Sequence, residues 1–186
     1  MPNIASQTVN PERLHSQSRL RPRRSAGFTL TELIIIVAII GIIAGVGIPN
    51  LLSYQPNYDL RRAASDLYSH MQKARLMAIQ NNKSVQIVFA GQAYTIQFND
   101  GTECLGLPRT VHLSSAYKGG VQLLPSNPYP PPSSAASSLT FNAFGTGNSA
   151  YVYMSNASNS AYYQIGALTS GVILKRRWDG SQYVSN

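Results

Sequence analysis

The hydrophobic pattern along the chain changes character twice. Residues 1–27 are rich in Ser, Arg and Gln and show no apolar period. The 21 residues from Phe28 to Ile48 then carry one charge, Glu32. A helix of that length spans roughly 31 Å, about the thickness of a bilayer core. Gly47 and Pro49 close the run. Pro removes a backbone hydrogen bond and crowds the preceding turn, so a bend is expected there. From Tyr58 to Asn81 the period becomes three and four residues: Leu60, Ala63, Ala64, Leu67, Met71, Ala74, Met77 and Ala78 fall on one face. Arg62, Asp66, Lys73 and Arg75 fall elsewhere. This is an amphipathic helix whose apolar face needs a sheet to cover it.

Beyond Asn82 the chain reads as strands. Ser84–Phe89 and Tyr94–Phe98 flank Ala90-Gly91-Gln92 and form a hairpin. Thr110–Leu113, Val121–Leu124, Leu139–Phe141, Tyr151–Met154, Tyr162–Gly166 and Gly171–Trp178 are further strands, separated by Asn, Ser and Gly turns. Residues 125–138 hold a Pro run followed by Ser and Ala. They have little to bury and are expected as an exposed, partly extended loop. The expected fold is α+β, one long N-terminal helix on an antiparallel β-sheet.

Charge adds an orientation. Arg13, Arg19, Arg21, Arg23 and Arg24 precede the apolar run, whereas residues 49–60 carry only Asp59. The positive-inside rule puts the N-terminus in the cytoplasm and the C-terminus outside. The formal charge is +8, of which residues 1–27 supply five Arg and one Glu. The remaining basic excess is moderate and does not by itself indicate nucleic acid. Cys104 is alone, so no internal disulfide forms, and a buried small hydrophobe is the expectation. No catalytic residues and no metal site are expected. His70 and His112 are the only histidines after residue 27, and no His-Glu-x-x-His, Gly-x-Ser-x-Gly or phosphate loop is present. Asp100 and Glu103 near a turn are too few for a calcium site. Asp59 and Asp66 are expected to pair with surface cations.

Glu32 is the anomaly in the apolar run. A carboxylate at a membrane centre costs on the order of 3 kcal/mol, and less near the interface. It is either a charge tolerated at a helix end or one half of a pair. Cleavage between Gly27 and Phe28 creates the other half, a positive amine on Phe28. In a bundle of identical helices, Glu32 of one subunit meets that amine on a neighbour and sets the axial register.

Gly27-Phe28-Thr29-Leu30-Thr31-Glu32-Leu33 and the apolar run behind it resemble the type III signal of type IV pilins and the pseudopilins of type II secretion. The resemblance implies that a membrane prepilin peptidase cuts after Gly27 and that the new Phe28 amine is methylated. It also implies that Glu32 guides assembly with other pilin-like subunits and an inner-membrane platform, without a cofactor. Pilin-like proteins share the proline at the distance of Pro49. The corresponding layout is a cleaved leader, 1–27, a transmembrane and polymerisation helix, 28–49, and an extracytoplasmic α+β domain, 50–186. The ordinary alternatives are a secretory signal peptide, with Gly45-Val46-Gly47 as a poor cut site, or a plain signal anchor.

The order Leu67, Ala74-Arg75-Leu76-Met77-Ala78-Ile79, Leu139-Thr140-Phe141 to Gly145, and Ser170-Gly171-Val172-Ile173-Leu174 is similar to H-type minor pseudopilins and T-type minor pilins. Some T-type members bind DNA near the C-terminus. The comparable residues here are Lys175, Arg176, Arg177 and Trp178, although the family's Gly-Arg-x-Arg pattern is not reproduced. On a strand, Lys175 and Arg177 share one face and Arg176 and Trp178 the other. Cations there could meet phosphates and Trp178 could stack on a base. The leading expectation is a minor pilin or pseudopilin in a secretion pseudopilus or type IV pilus. DNA binding and a signal-anchored β-rich domain that never polymerises are the rivals.

Overall fold

The computed structural model describes residues 27–129 and 133–185, without the side chains of residues 46–54. The chain divides into two compact units, Met1–Ala44 and Gly45–Asn186. Helix α1, Leu30–Gln80, contributes to both. The bend expected at Gly47 and Pro49 falls where side chains lie outside the described residues. Among the described residues no helix is long and apolar enough to cross a membrane. The last residues of the run that was expected to span, 46–48, are among those without described side chains.

In the first unit, α1 starts at a side-chain cap. Thr29 is the residue before the first helical turn, and its Oγ1 accepts the N–H of Glu32 at 3.2 Å. This satisfies one of the donors that a helix start leaves unpaired. The spacing Thr-x-x-Glu is that of a capping box. Every large apolar side chain from Leu30 to Ile43 is exposed.

In the second unit, the apolar face of α1 is buried as its spacing requires. Leu60, Ala63, Ala64, Leu67, Met71, Ala74 and Ala78 are buried, while Met77 is half-buried. The helix ends at Asn82, which adopts φ +49°. Lys83 N–H donates to Ala78 O (3.1 Å) and Asn82 N–H to Ile79 O (3.3 Å). That is the paired closure of a left-handed helix end, for which Asn is tolerated after Gly.

The strands form two antiparallel sheets rather than the single one expected. The first has the order β3-β2-β1-β5, from β1 (Val85–Ala90), β2 (Ala93–Phe98), β3 (Thr110–His112) and β5 (Ser138–Phe141). The second has the order β4-β6-β7-β8-β9, from β4 (Gln122–Leu124), β6 (Ala150–Ser155), β7 (Tyr162–Ala167), β8 (Ile173–Trp178) and β9 (Tyr183–Ser185). One core joins α1 to Ile87, Ile96, Leu139 and Phe141 of the first sheet and to Val152, Met154 and Ile165 of the second. Cys104 is buried. The fold is α+β.

Two local expectations are corrected. Leu113 does not end a strand but opens a short helical turn, α2 (Leu113–Ala116), closed by Tyr117 N–H to Leu113 O at 2.9 Å. The turn brings Tyr117 Oη to donate to Asp66 Oδ2 at 2.8 Å. Asp59 also serves the fold rather than a surface cation, accepting the Gly119 N–H at 2.7 Å. Asp66 does lie 3.8 Å from Arg62 as well. His70 Nδ1 is 2.8 Å from Tyr94 Oη, and burial holds this imidazole below its ordinary pKa.

Leu67 is fully buried where α1 meets the core. Leu67→Ala removes that contact and leaves a cavity, so unfolding in denaturant should show a loss of about 3 kcal/mol. A loss under about 1 kcal/mol would mean that α1 does not anchor the sheets.

Candidate functional site

Gly27 and Phe28 precede the helix in exposed chain outside any helix or strand. Phe28 is 73% exposed. The bond between them is therefore accessible rather than folded into the helix. Glu32 sits in the first turn of α1 and is exposed, its backbone N–H bound by Thr29. Its carboxylate forms no ion pair among the described residues, whose ion pairs are Arg62–Asp66, Lys83–Asp100 and Arg109–Glu103. Thr29 fixes where the helix begins, so the Glu32 carboxylate stands a constant short distance along the axis from Phe28. The role of Thr29 was legible in the Thr-x-x-Glu spacing but is not among the expected site residues.

Lys175, Arg176, Arg177 and Trp178 lie on β8. Strand alternation separates them. Lys175 points to the helix side, where Nζ donates to Ser65 Oγ at 3.2 Å and lies 6.0 Å from the centre of the Tyr68 ring. Arg177 is exposed. Arg176 and Trp178 face outward. The register aligns Tyr153, Gln164, Arg176 and Ser185 in one row across the second sheet. The three cations are thus not one patch.

The described residues of the Pro/Ser loop, expected as exposed and partly extended, cover part of the outer face. Asn127 N–H donates to Ser133 O (2.7 Å), Ala135 N–H to Pro125 O (2.9 Å) and Ala136 N–H to Tyr151 O (2.8 Å). Tyr129 stacks on Trp178 with ring centres 3.8 Å apart and planes 6° apart. Tyr183 approaches Trp178 edge-on at 5.1 Å. Ser133 Oγ and Tyr153 Oη share a hydrogen bond of 2.7 Å. Aromatic stacking and polar contacts supply what the Pro-rich composition lacks in apolar burial. The ring face of Trp178 that a base would use is taken by Tyr129. Nothing in the local sequence near Trp178 signals this partner, which is 49 positions away in the chain.

Among the described residues no group of His, Cys, Asp and Glu is placed to hold a metal ion. Asp100 lies 3.1 Å from Lys83 Nζ and accepts from Thr102, whose hydrogen bonds hold its carboxyl down to about 2. Glu103 pairs with Arg109 at 2.8 Å.

A family model for the type II transport protein GspH matches residues 63–171, more than half of the chain. The chain belongs to the GspH family. A prokaryotic N-terminal methylation motif matches residues 22–48, which include Gly27, Phe28 and Glu32. That motif implies a membrane-anchored pilin-type protein. GspH-family proteins are structural subunits of the pilin and pseudopilin kind rather than enzymes. The type II secretion system core protein G of Aeromonas hydrophila is 31% identical over 64 residues, 34% of this chain and 45% of that protein. The type IV major pilin protein PilA of Myxococcus xanthus (strain DK1622) is 48% identical over 50 residues, 27% of this chain and 22% of that protein. The chain spans less than half the length of these curated relatives. Among solved structures, the type IV minor pilin FimU of Pseudomonas aeruginosa (strain PAO1) is similar at 16% identity and TM-score 0.49, covering 70% of this chain and 96% of that one. The minor pseudopilin EpsH of the type 2 secretion system of Vibrio cholerae is similar at 12% identity and TM-score 0.48, covering 68% and 97%.

Tyr129→Ala in this GspH-family protein should uncover Trp178, the single tryptophan. Its emission should shift to the red and the domain should lose about 1 kcal/mol. An unchanged emission maximum would show that Tyr129 does not cover the ring in solution.

Proposed function

We propose that this chain is a minor pilin or pseudopilin that is inserted in the inner membrane by residues 28–49 and cut after Gly27 by a separate prepilin peptidase. Phe28 is then methylated, the domain of residues 50–186 stands on the periplasmic side, and an inner-membrane platform draws the subunit into a secretion pseudopilus or a type IV pilus. The observation that carries this reading is the first unit of the fold. An accessible Gly27–Phe28 bond precedes a capped helix, and that helix presents apolar side chains on all sides with one carboxylate in its first turn. A helix apolar all round is covered by lipid or by other helices. The exposed carboxylate of Glu32 has no described partner in its own chain, and the Phe28 amine of a neighbouring subunit would supply one.

The DNA-binding reading has less support, because Lys175 is engaged by Ser65 and Trp178 by Tyr129.

Glu32→Val leaves the apolar run intact and removes the acid. Breaking a buried ion pair costs about 3 kcal/mol or more. Incorporation into filaments should therefore fall by at least about tenfold, while cleavage after Gly27 continues. Equal incorporation of the variant and the wild type would contradict the pairing of Glu32 with the Phe28 amine, and absence of both from filaments would favour an anchored domain that does not polymerise.

A further inference from the structure

The outer face of the second sheet holds a cleft of about 300 Å³, lined among others by Tyr153, Gln164, Arg176, Trp178 and Tyr183. Its polar groups are not balanced. Arg176 is half-buried, and no described carboxylate pairs with it. Beside it in the register, Gln164 donates from Nε2 to Tyr153 Oη at 3.4 Å, while Gln164 Oε1 is buried with no hydrogen-bond partner among the described residues. A buried acceptor without a donor is costly, and so is a half-buried cation without an anion. Both lacks are met by one ligand that carries a carboxylate next to an N–H.

We propose that this cleft binds an acidic side chain on an extended peptide segment of another protein, with Arg176 holding the carboxylate and the Gln164 side chain, which lines the cleft, turning its Oε1 outward to accept an adjacent backbone N–H. The guanidinium fork matches a carboxylate in two parallel hydrogen bonds. The aromatic walls select a peptide over a sugar or a base. Trp178 already carries Tyr129 on one face and meets Tyr183 edge-on, so it has little free ring face to stack on. Tyr183 Oη is fixed by donating to Asn127 Oδ1 at 3.1 Å, which holds the wall in place. None of the groups of this cleft takes part in the pairing of Glu32 with Phe28, so its failure leaves the filament reading untouched.

Trp178 is the single tryptophan and reports on the cleft directly. The full chain in detergent is titrated with an end-capped six-residue peptide of alternating Asp and Val, and with its Asn counterpart. The acidic peptide should change the Trp178 emission saturably and the Asn peptide should not. Arg176→Gln should weaken binding by about tenfold or more. Arg177→Gln, which removes the same charge outside the cleft, should weaken it less than about twofold. Equal losses in the two variants overturn the proposal. So does equal binding of the Asn peptide, or tighter binding of a uronic-acid oligosaccharide or a thymidine oligonucleotide. If Arg176→Gln fails to fold, Gln164→Leu decides instead: several-fold weaker binding is expected, and unchanged affinity overturns the proposal.

Discussion

An apolar helix surface that its own chain leaves uncovered is the constraint behind the rest of this molecule. Ten large aliphatic side chains from Leu30 to Ile43 are exposed. Covering them is worth on the order of 20 kcal/mol, at about 2 kcal/mol for each. A single carboxylate in the same run costs on the order of 3 kcal/mol at a membrane centre and less near the interface. The aliphatic term therefore decides that this helix leaves water, into lipid or against other helices. Glu32 is too weak to prevent that; in the function proposed above, its part is to choose among axial positions once a positive partner is near. The Thr29 cap matters for the same reason, because a frayed first turn would let the carboxylate wander along the axis.

The second unit solves a different problem. Among the described residues, the covered face of α1 runs from Leu60 to Ala78, and the cover consists of two sheets that share one core. Loops are tied to the helix by polar contacts spaced along it: Asn57 with Asn156, Asp59 with Gly119, Asp66 with Tyr117, and Arg75 with Gly145. Asp59, Asp66 and Arg75 are read from the sequence as solvated surface. Their work is instead to hold irregular segments whose backbone groups would otherwise lack partners.

Much of this was legible in the residues. The spacing of Leu60, Ala63, Ala64, Leu67, Met71, Ala74 and Ala78 gave the buried face directly, since a 3.6-residue period admits one answer. The hairpin at Gly91 was readable because Ala90-Gly91-Gln92 separates two β-rich runs, and the structure narrows that loop to Gly91, at φ +57°, and Gln92. The division into two sheets was not readable, because alternation marks which side of a strand is apolar and not which strand lies next to it. β9 was missed because Tyr183–Ser185 is too short to show alternation, and its turn depends on Asp179 Oδ1 accepting the N–H groups of Ser181 and Gln182. At the candidate sites, Gly27, Phe28 and Glu32 stood out by local pattern. The pairing of Tyr129 with Trp178 and the unbalanced pair of Arg176 and Gln164 depend on distant segments meeting, which no local pattern records.

We propose that cleavage frees the Phe28 amine of one subunit to serve as the partner of Glu32 in its neighbour. The intact mass of the protein recovered from the cells that make it tests this most directly. The expected mass is that of a chain beginning at Phe28 and carrying one additional methyl group. A mass that retains residues 1–27, or that begins at another position, would contradict the account.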